Sequence, residues 1–135
     1  MKNNLIEKIE KRRQLIALIV RSNYKPQRQG FISSLDLTQQ IRVMDFQAGD
    51  AIQRHTHKII ERKISKTAET IVILSGLVEI DIYDDRNNFI KTVNLRKNDL
   101  IFFASGGHGF RFIKKSKFIE IKQGPYLGES DRERF

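Results

Sequence analysis

A chain of 135 residues and 15.8 kDa has room for one hydrophobic core but not for two. Hydrophobic residues at 39% beside 30% charged residues exclude wholesale disorder, and the lack of cysteine excludes a disulfide framework and any thiolate metal ligand. Of the formal net charge of +9, eight basic side chains against two acidic ones put +6 into the first thirty residues. No aromatic-interleaved basic stripe, zinc-finger spacing or recognition-helix pattern raises the nucleic-acid option, so the arm reads as a solvated face, with an anionic ligand or acidic partner as the lesser option.

Residues 1–13 are polar, with Leu5, Ile6 and Ile9 spaced for a short amphipathic helical turn. The apolar run at 15–20 is rich in isoleucine and valine and predicts a buried strand. It is too short to span a bilayer and carries no cleavage site behind it, so neither a membrane span nor a signal peptide is expected. A loop with Pro26, Gln27, Gln29 and Gly30 leads to a second strand at 40–46, and Gly49 turns the chain into a third, which carries His55 and His57. From Thr70 onward the pattern is clearer. Residues 70–74 form an apolar run broken by Gly76, and 77–83 alternate Val78, Ile80 and Ile82 against Glu79 and Asp81, an outward, solvated pair. Further strands are expected at 89–95, 100–104, 108–113 and 118–123, separated by turns at 84–88, 96–99, 105–107 and 114–117. Short strands at regular spacing, with no helix between them, predict an all-β antiparallel sandwich or barrel.

The chemistry concentrates in the three histidines. On a strand, side chains two residues apart share a face, so His55 and His57 would project together toward one ion. His108, set among glycines, is the third imidazole, and a carboxylate completes a nitrogen and oxygen set suited to Zn, Fe, Mn, Ni or Cu with a coordination position left for water or substrate. Phe110 and Phe112 follow His108 at same-face spacing and read as core packing, with substrate stacking the lesser option for Phe110. Arg62 and Arg111 can hold a phosphate or carboxylate in bidentate fashion, although solvated surface arginine is the plainer role. Tyr126 either covers the mouth of the fold or anchors the tail. No cysteine nucleophile, serine elbow or phosphate-binding glycine loop is present.

Gly49, His55, His57, Glu69 and Gly76 together resemble the first motif of the cupin superfamily, and the stretch from Asn98 to His108 resembles the second. Two departures stand out: eleven residues separate His57 from Glu69, an insertion beginning at Lys58, and Asn98 and Ala104 stand where glycine and proline are common. Glu61 keeps the family's distance after His57 and Glu69 keeps its distance before Gly76. Glu69 is preferred as the acidic ligand because it opens the Ile71 and Ile73 face, with Glu61 in a surface or supporting ion pair. The tail from Glu120 to Tyr126, with Gly106, Gly107, His108, Gly109 and Phe110, is similar to small single-domain cupins found among surface-polysaccharide and lipopolysaccharide biosynthesis genes.

That resemblance implies an antiparallel double-stranded β-helix, a jelly-roll cupin barrel with a short N-terminal helical or extended arm. The whole chain would be one domain: arm and first strand at 1–30, barrel core at 40–125, tail at 124–135. It implies a divalent transition metal on His55, His57, Glu69 and His108, a small anionic or sugar-like ligand, and a cytoplasmic homodimer without nucleic-acid or membrane partners, with the strand at 15–20 as the segment exchanged between protomers. The expected activity is metal-assisted isomerisation or epimerisation of a sugar or sugar-nucleotide. A non-catalytic ligand-binding module and an iron-dependent dioxygenase are the alternatives.

Overall fold

The structure is a computed structural model that describes residues 5–26 and 30–135. It divides into two compact units, residues 1–24 with 66–135 and residues 25–65.

The first unit holds eight antiparallel strands: β1 Ile6–Lys11, β2 Gln14–Val20, β3 Glu69–Ser75, β4 Leu77–Tyr83, β5 Phe89–Arg96, β6 Leu100–Phe103, β7 Gly107–Phe112 and β8 Lys117–Lys122, followed by a short 3-10 turn at Gly128–Asp131. They form a five-stranded sheet in the order β1-β2-β6-β3-β8 and a three-stranded sheet in the order β5-β4-β7. The alternation that predicts β4 is seen directly: Val78, Ile80 and Ile82 are fully buried while Glu79 and Asp81 face outward. Opposite them, Ala17, Ile19, Ile71, Ile73, Ile101 and Phe103 supply the inner face of the larger sheet, and the two apolar faces make one core. The result is an all-β sandwich, and no closed barrel forms among the described residues. No helix is long and apolar enough to cross a membrane.

The start of the chain departs from the helical expectation. Residues 6–11 are strand β1, paired with β2 through a two-residue turn at Arg12 and Arg13, both left-handed with φ of 52° and 65°. Such a turn normally advertises itself with Asn-Gly, and here two arginines fill it, so the hairpin carries no turn signal in the sequence. Residues 1–4 of the expected helical turn, and Gln27 and Gln29 of the expected loop, lie outside the described residues. The strand at 15–20 forms as predicted, but it sits between β1 and β6 of its own chain and is not a free edge.

Two close approaches fix the turns of this unit. At Gly76, with φ of 93°, a Cβ would stand 2.2 Å from Ser116 Oγ and 2.4 Å from the Lys115 carbonyl oxygen, so only glycine lets the β3–β4 turn pass the β7–β8 connection. The Arg96–Asp99 turn is tied down by a buried carboxylate: Asp99 accepts hydrogen bonds from the backbone N–H of Ser22 at 2.9 Å and of Arg96 at 3.0 Å, and from Arg21 Nη1 at 3.1 Å.

The second unit has little regular structure. Its ordered feature is an isolated bridge between Phe31 and Arg42, supported by Ile41 N–H donating to Ser33 Oγ at 2.8 Å and by the Arg42 guanidinium 4.9 Å from the Phe31 ring centroid. The strand expected at 40–46 is reduced to that single bridge, and the strand expected to carry His55 and His57 does not form. A strand exists only through a neighbour that takes up its backbone groups, and residues 51–65 have none among the described residues.

Candidate functional site

At one end of the eight-stranded unit the inner faces of β3, β7 and β8 surround an open cavity of about 870 Å³. Register places its polar groups. Glu69 lies opposite Lys122 on one side and Phe103 on the other, while Glu120 lies opposite Ile71, so Glu69, Glu120 and Lys122 share the inward face of neighbouring strands. His108 lies opposite Ile82 on β4 and points into the same space.

His108 is held as a plate between rings. It stacks on Phe103 with centroids 4.0 Å apart and planes at 24°, and Phe110 meets it edge-on at 5.3 Å and 82°. In that orientation Nε2 lies 3.0 Å from Glu69 Oε2, while Nδ1 is buried without a hydrogen-bond partner among the described residues. Phe110 also stacks on Phe118 and packs against the core, as its spacing predicts. Phe112 corrects that expectation: it is 56% exposed and meets the Phe118 ring, with centroids 6.1 Å apart, instead of being enclosed by the core.

The carboxyls of Glu69 and Glu120 hydrogen-bond to each other and are pushed in opposite directions. Burial works against charge on Glu69, but hydrogen bonds from His108 and Glu120 and the positive field of His108 and Lys122 outweigh it and hold its carboxyl well below the usual carboxylate range. Glu120 moves up, because its bond to Glu69, then its own partial burial, then the Glu69 charge all favour the neutral form. Of the two carboxyls, Glu69 is the one that ionises first. Lys122 is shared with Asp131 at 3.5 Å and lies 5.1 Å from the Tyr126 ring centroid.

The remaining candidates are placed as follows. His55 and His57 lie in the second unit, with ring centroids 5.2 Å apart in an edge arrangement. His55 Nδ1 lies 2.9 Å from the Gln53 carbonyl oxygen, so it donates there and leaves Nε2 with a free lone pair. Glu61 and Arg62 are exposed in the same segment. Arg111 is spoken for: it bonds Glu79 Oε1 through Nε at 2.8 Å and Asp81 Oδ2 through Nη1 at 2.5 Å, which raises its own pKa and lowers that of Asp81. Glu79 and Asp81 face outward as expected, but as partners of Arg111 and not as freely solvated groups. Tyr126 is 71% exposed on the tail and is no part of the core.

Two groups of donors are therefore on hand, Glu69 with His108 in one unit and His55 with His57 in the other. Among the described residues no cluster of three or more His, Asp or Glu side chains is gathered for a metal ion. The 3.0 Å between His108 Nε2 and Glu69 Oε2 is the length of a hydrogen bond in which the imidazole N–H donates to the carboxylate.

The inward role of Glu120 and Lys122 escaped sequence reasoning. β8 alternates Phe118, Glu120 and Lys122 against Ile119 and Ile121, and hydropathy puts the isoleucines inside, whereas they are 46% and 53% exposed. Only the pairing of β8 with β3 reveals which face is inner. No family model matches the chain, and no curated protein or solved structure is similar to it.

Proposed function

We propose that the chain is a metal-binding cupin, a jelly-roll double-stranded β-helix in plan, that isomerises or epimerises a sugar or sugar-nucleotide in the cavity beside Glu69 and His108. The observation that carries this reading is the convergence of Glu69 Oε2 and His108 Nε2 at 3.0 Å on the wall of an open cavity. His55 and His57 enter through their spacing in the sequence, and the free Nε2 of His55 suits a ligand role.

Glu69 and His108, with His55 and His57, would hold a divalent ion, which would supply Lewis acidity toward a substrate carbonyl oxygen. The residues supply the rest. Phe103 and Phe110 fix the imidazole plane, so the donor atom aims at one point. Phe110 and Phe118 give the cavity an apolar wall against which a sugar ring packs and from which water is displaced. Glu120, whose bond to Glu69 favours its protonated form, stands beside the cavity where it can exchange a proton with a substrate oxygen. Lys122, Arg132 and Arg134 line the same cavity and suit an anionic substrate.

The test is incubation of the purified protein with nucleotide-linked sugars in heavy water, read by proton NMR. Loss of a ring C–H signal that needs Glu69 and His108 supports isomerisation. Bound metal with no exchange and no product reduces the function to ligand binding, and oxygen consumption redirects it to dioxygenase chemistry.

A further inference from the structure

Beyond β8 the chain runs from one sheet to the other beside the cavity. It leaves the larger sheet at Lys122, passes through the 3-10 turn at Gly128–Asp131 and reaches the smaller sheet, where the Phe135 ring meets Tyr83 edge-on with centroids 5.0 Å apart and planes at 87°. Gly107 makes room for that ring: a Cβ there would stand 2.8 Å from Phe135 Cζ and 2.9 Å from its Cε1. Residues 131–135 line the cavity that holds Glu69 and His108, so this strap is one of its walls.

The strap is lightly fastened. No residue of its 3-10 turn is buried, Phe135 keeps 64% of its surface exposed, and the Arg134–Glu129 pair is open to solvent at both partners. Its most enclosed polar contact is the ion pair between Lys122 Nζ and Asp131 Oδ2, where the two side chains are only 19% and 14% exposed. At 3.5 Å that pair is looser than a direct charge-assisted hydrogen bond of about 2.7–2.9 Å. Lys122 carries three donors, and Asp131 at that distance takes up one of them at most. A carboxylate from the strap therefore rests on a cavity lysine without satisfying it, in the position that an entering anion would occupy.

We propose that Lys122 on β8 and Arg132 on the strap form a phosphate-binding position, held in the free protein by Asp131, and that a phosphate group bridging the two cations fastens the strap over the cavity. Phosphate suits the exchange. It carries about −1.5 to −2 charges at pH 7 and three acceptor oxygens, where Asp131 offers one charge and two. Arg132 follows Asp131 in the chain and lines the same cavity, so an anion seated on Lys122 meets a guanidinium built for bidentate contact with phosphate. Two charge-assisted links then join strand to strap where one loose pair stood. Because binding orders the strap, a strap already seated on Gly107 favours binding in return. This deepens the reading of the cavity as the site of an anionic sugar substrate, naming phosphate as the group recognised, and it requires no metal.

The test is a titration of the full chain with inorganic phosphate, and separately with a hexose phosphate, at fixed ionic strength and followed by proton–nitrogen NMR. Amide signals around Lys122 and in the strap should shift saturably and together, and backbone relaxation should show residues 128–135 stiffening while contacts between the Phe135 ring and Gly107 persist. Lys122→Gln and Arg132→Gln should each weaken binding about tenfold or more, whereas Lys97→Gln, which removes the same charge outside the cavity, should change it less than about twofold. Asp131→Asn removes the resident carboxylate and should tighten binding about threefold. No saturable shift, an equal loss in Lys97→Gln, or an Asp131→Asn variant that binds no more tightly overturns the proposal. Tighter binding of the hexose phosphate assigns the site to an ester, and equal affinities assign it to the free ion. Saturable phosphate binding by a protein that holds no metal and exchanges no sugar proton keeps this site and removes the isomerisation.

Discussion

The β1–β2 hairpin turns on two arginines in a conformation that suits neither. Arg12 and Arg13 have φ of 52° and 65°, both are exposed, and Lys11 pairs directly with Gln14 across them. A left-handed residue bearing a Cβ costs roughly 1–2 kcal/mol relative to its right-handed form. Asparagine tolerates the region better and glycine occupies it freely, although glycine gives back about 0.5–1 kcal/mol through its looser unfolded chain. Replacing the pair by Asn-Gly (Arg12→Asn with Arg13→Gly) is therefore expected to stabilise the fold by about 1 kcal/mol, and removing two cations from a chain of net charge +9 works in the same direction. For a chain of 135 residues that corresponds to a rise in Tm of about 3–5 °C. Thermal unfolding followed by far-UV circular dichroism reads it directly. An unchanged or lowered Tm would refute the hairpin, since residues 6–13 as a helical turn would lose stability on gaining a glycine.

Other expectations bear on the turns and the cavity. Asp99→Ala removes a buried acceptor from the N–H groups of Ser22 and Arg96 and should cost about 1–3 kcal/mol, seen as a lower denaturant midpoint with an unchanged slope. Gly76→Ala should cost at least about 2 kcal/mol, and adding Ser116→Ala should not rescue it, because the Lys115 carbonyl still blocks the Cβ. The two carboxyls of the cavity predict opposite pH behaviour. Glu69, held low, contributes stability that is present above its ordinary range and lost as pH falls through its lowered pKa; Glu120, held high, costs stability once pH rises through its raised value. Glu120→Gln should accordingly leave the protein as stable or slightly more stable at pH 7, by less than about 1 kcal/mol given its exposure. Glu69→Gln should destabilise it, and the two variants should converge with the parent in acid when compared by urea unfolding across pH.

The strands from β3 to β8 were legible because alternation and turn chemistry agreed there: Val78, Ile80 and Ile82 against Glu79 and Asp81, then the Asp84–Asn88 turn, repeat a period that only a half-buried sheet produces. β1 was not legible, since its turn lacks Asn and Gly and its apolar residues, Ile6 and Ile9, are three apart and imitate a helix. A bulge between Ile9 and Glu10 shifts the register and breaks the period of two. In the site, Glu69 and His108 could be named because glycines frame them and Glu69 continues the Ile71 and Ile73 face. Glu120 and Lys122 could not be placed, because outward Ile119 and Ile121 invert the hydropathy of β8. The strand expected around His55 and His57 followed from spacing alone, and spacing does not supply the neighbouring strand that such a conformation needs.

Metal content is the most direct measurement of the central claim. The protein is purified without added ions, titrated with divalent transition metals and analysed by elemental mass spectrometry beside His108→Ala and Glu69→Gln variants whose circular dichroism matches the parent. Stoichiometric binding of one ion per chain, lost in His108→Ala and weakened in Glu69→Gln, is the predicted result. A parent chain that holds no ion, or one whose ion is indifferent to both substitutions, contradicts it.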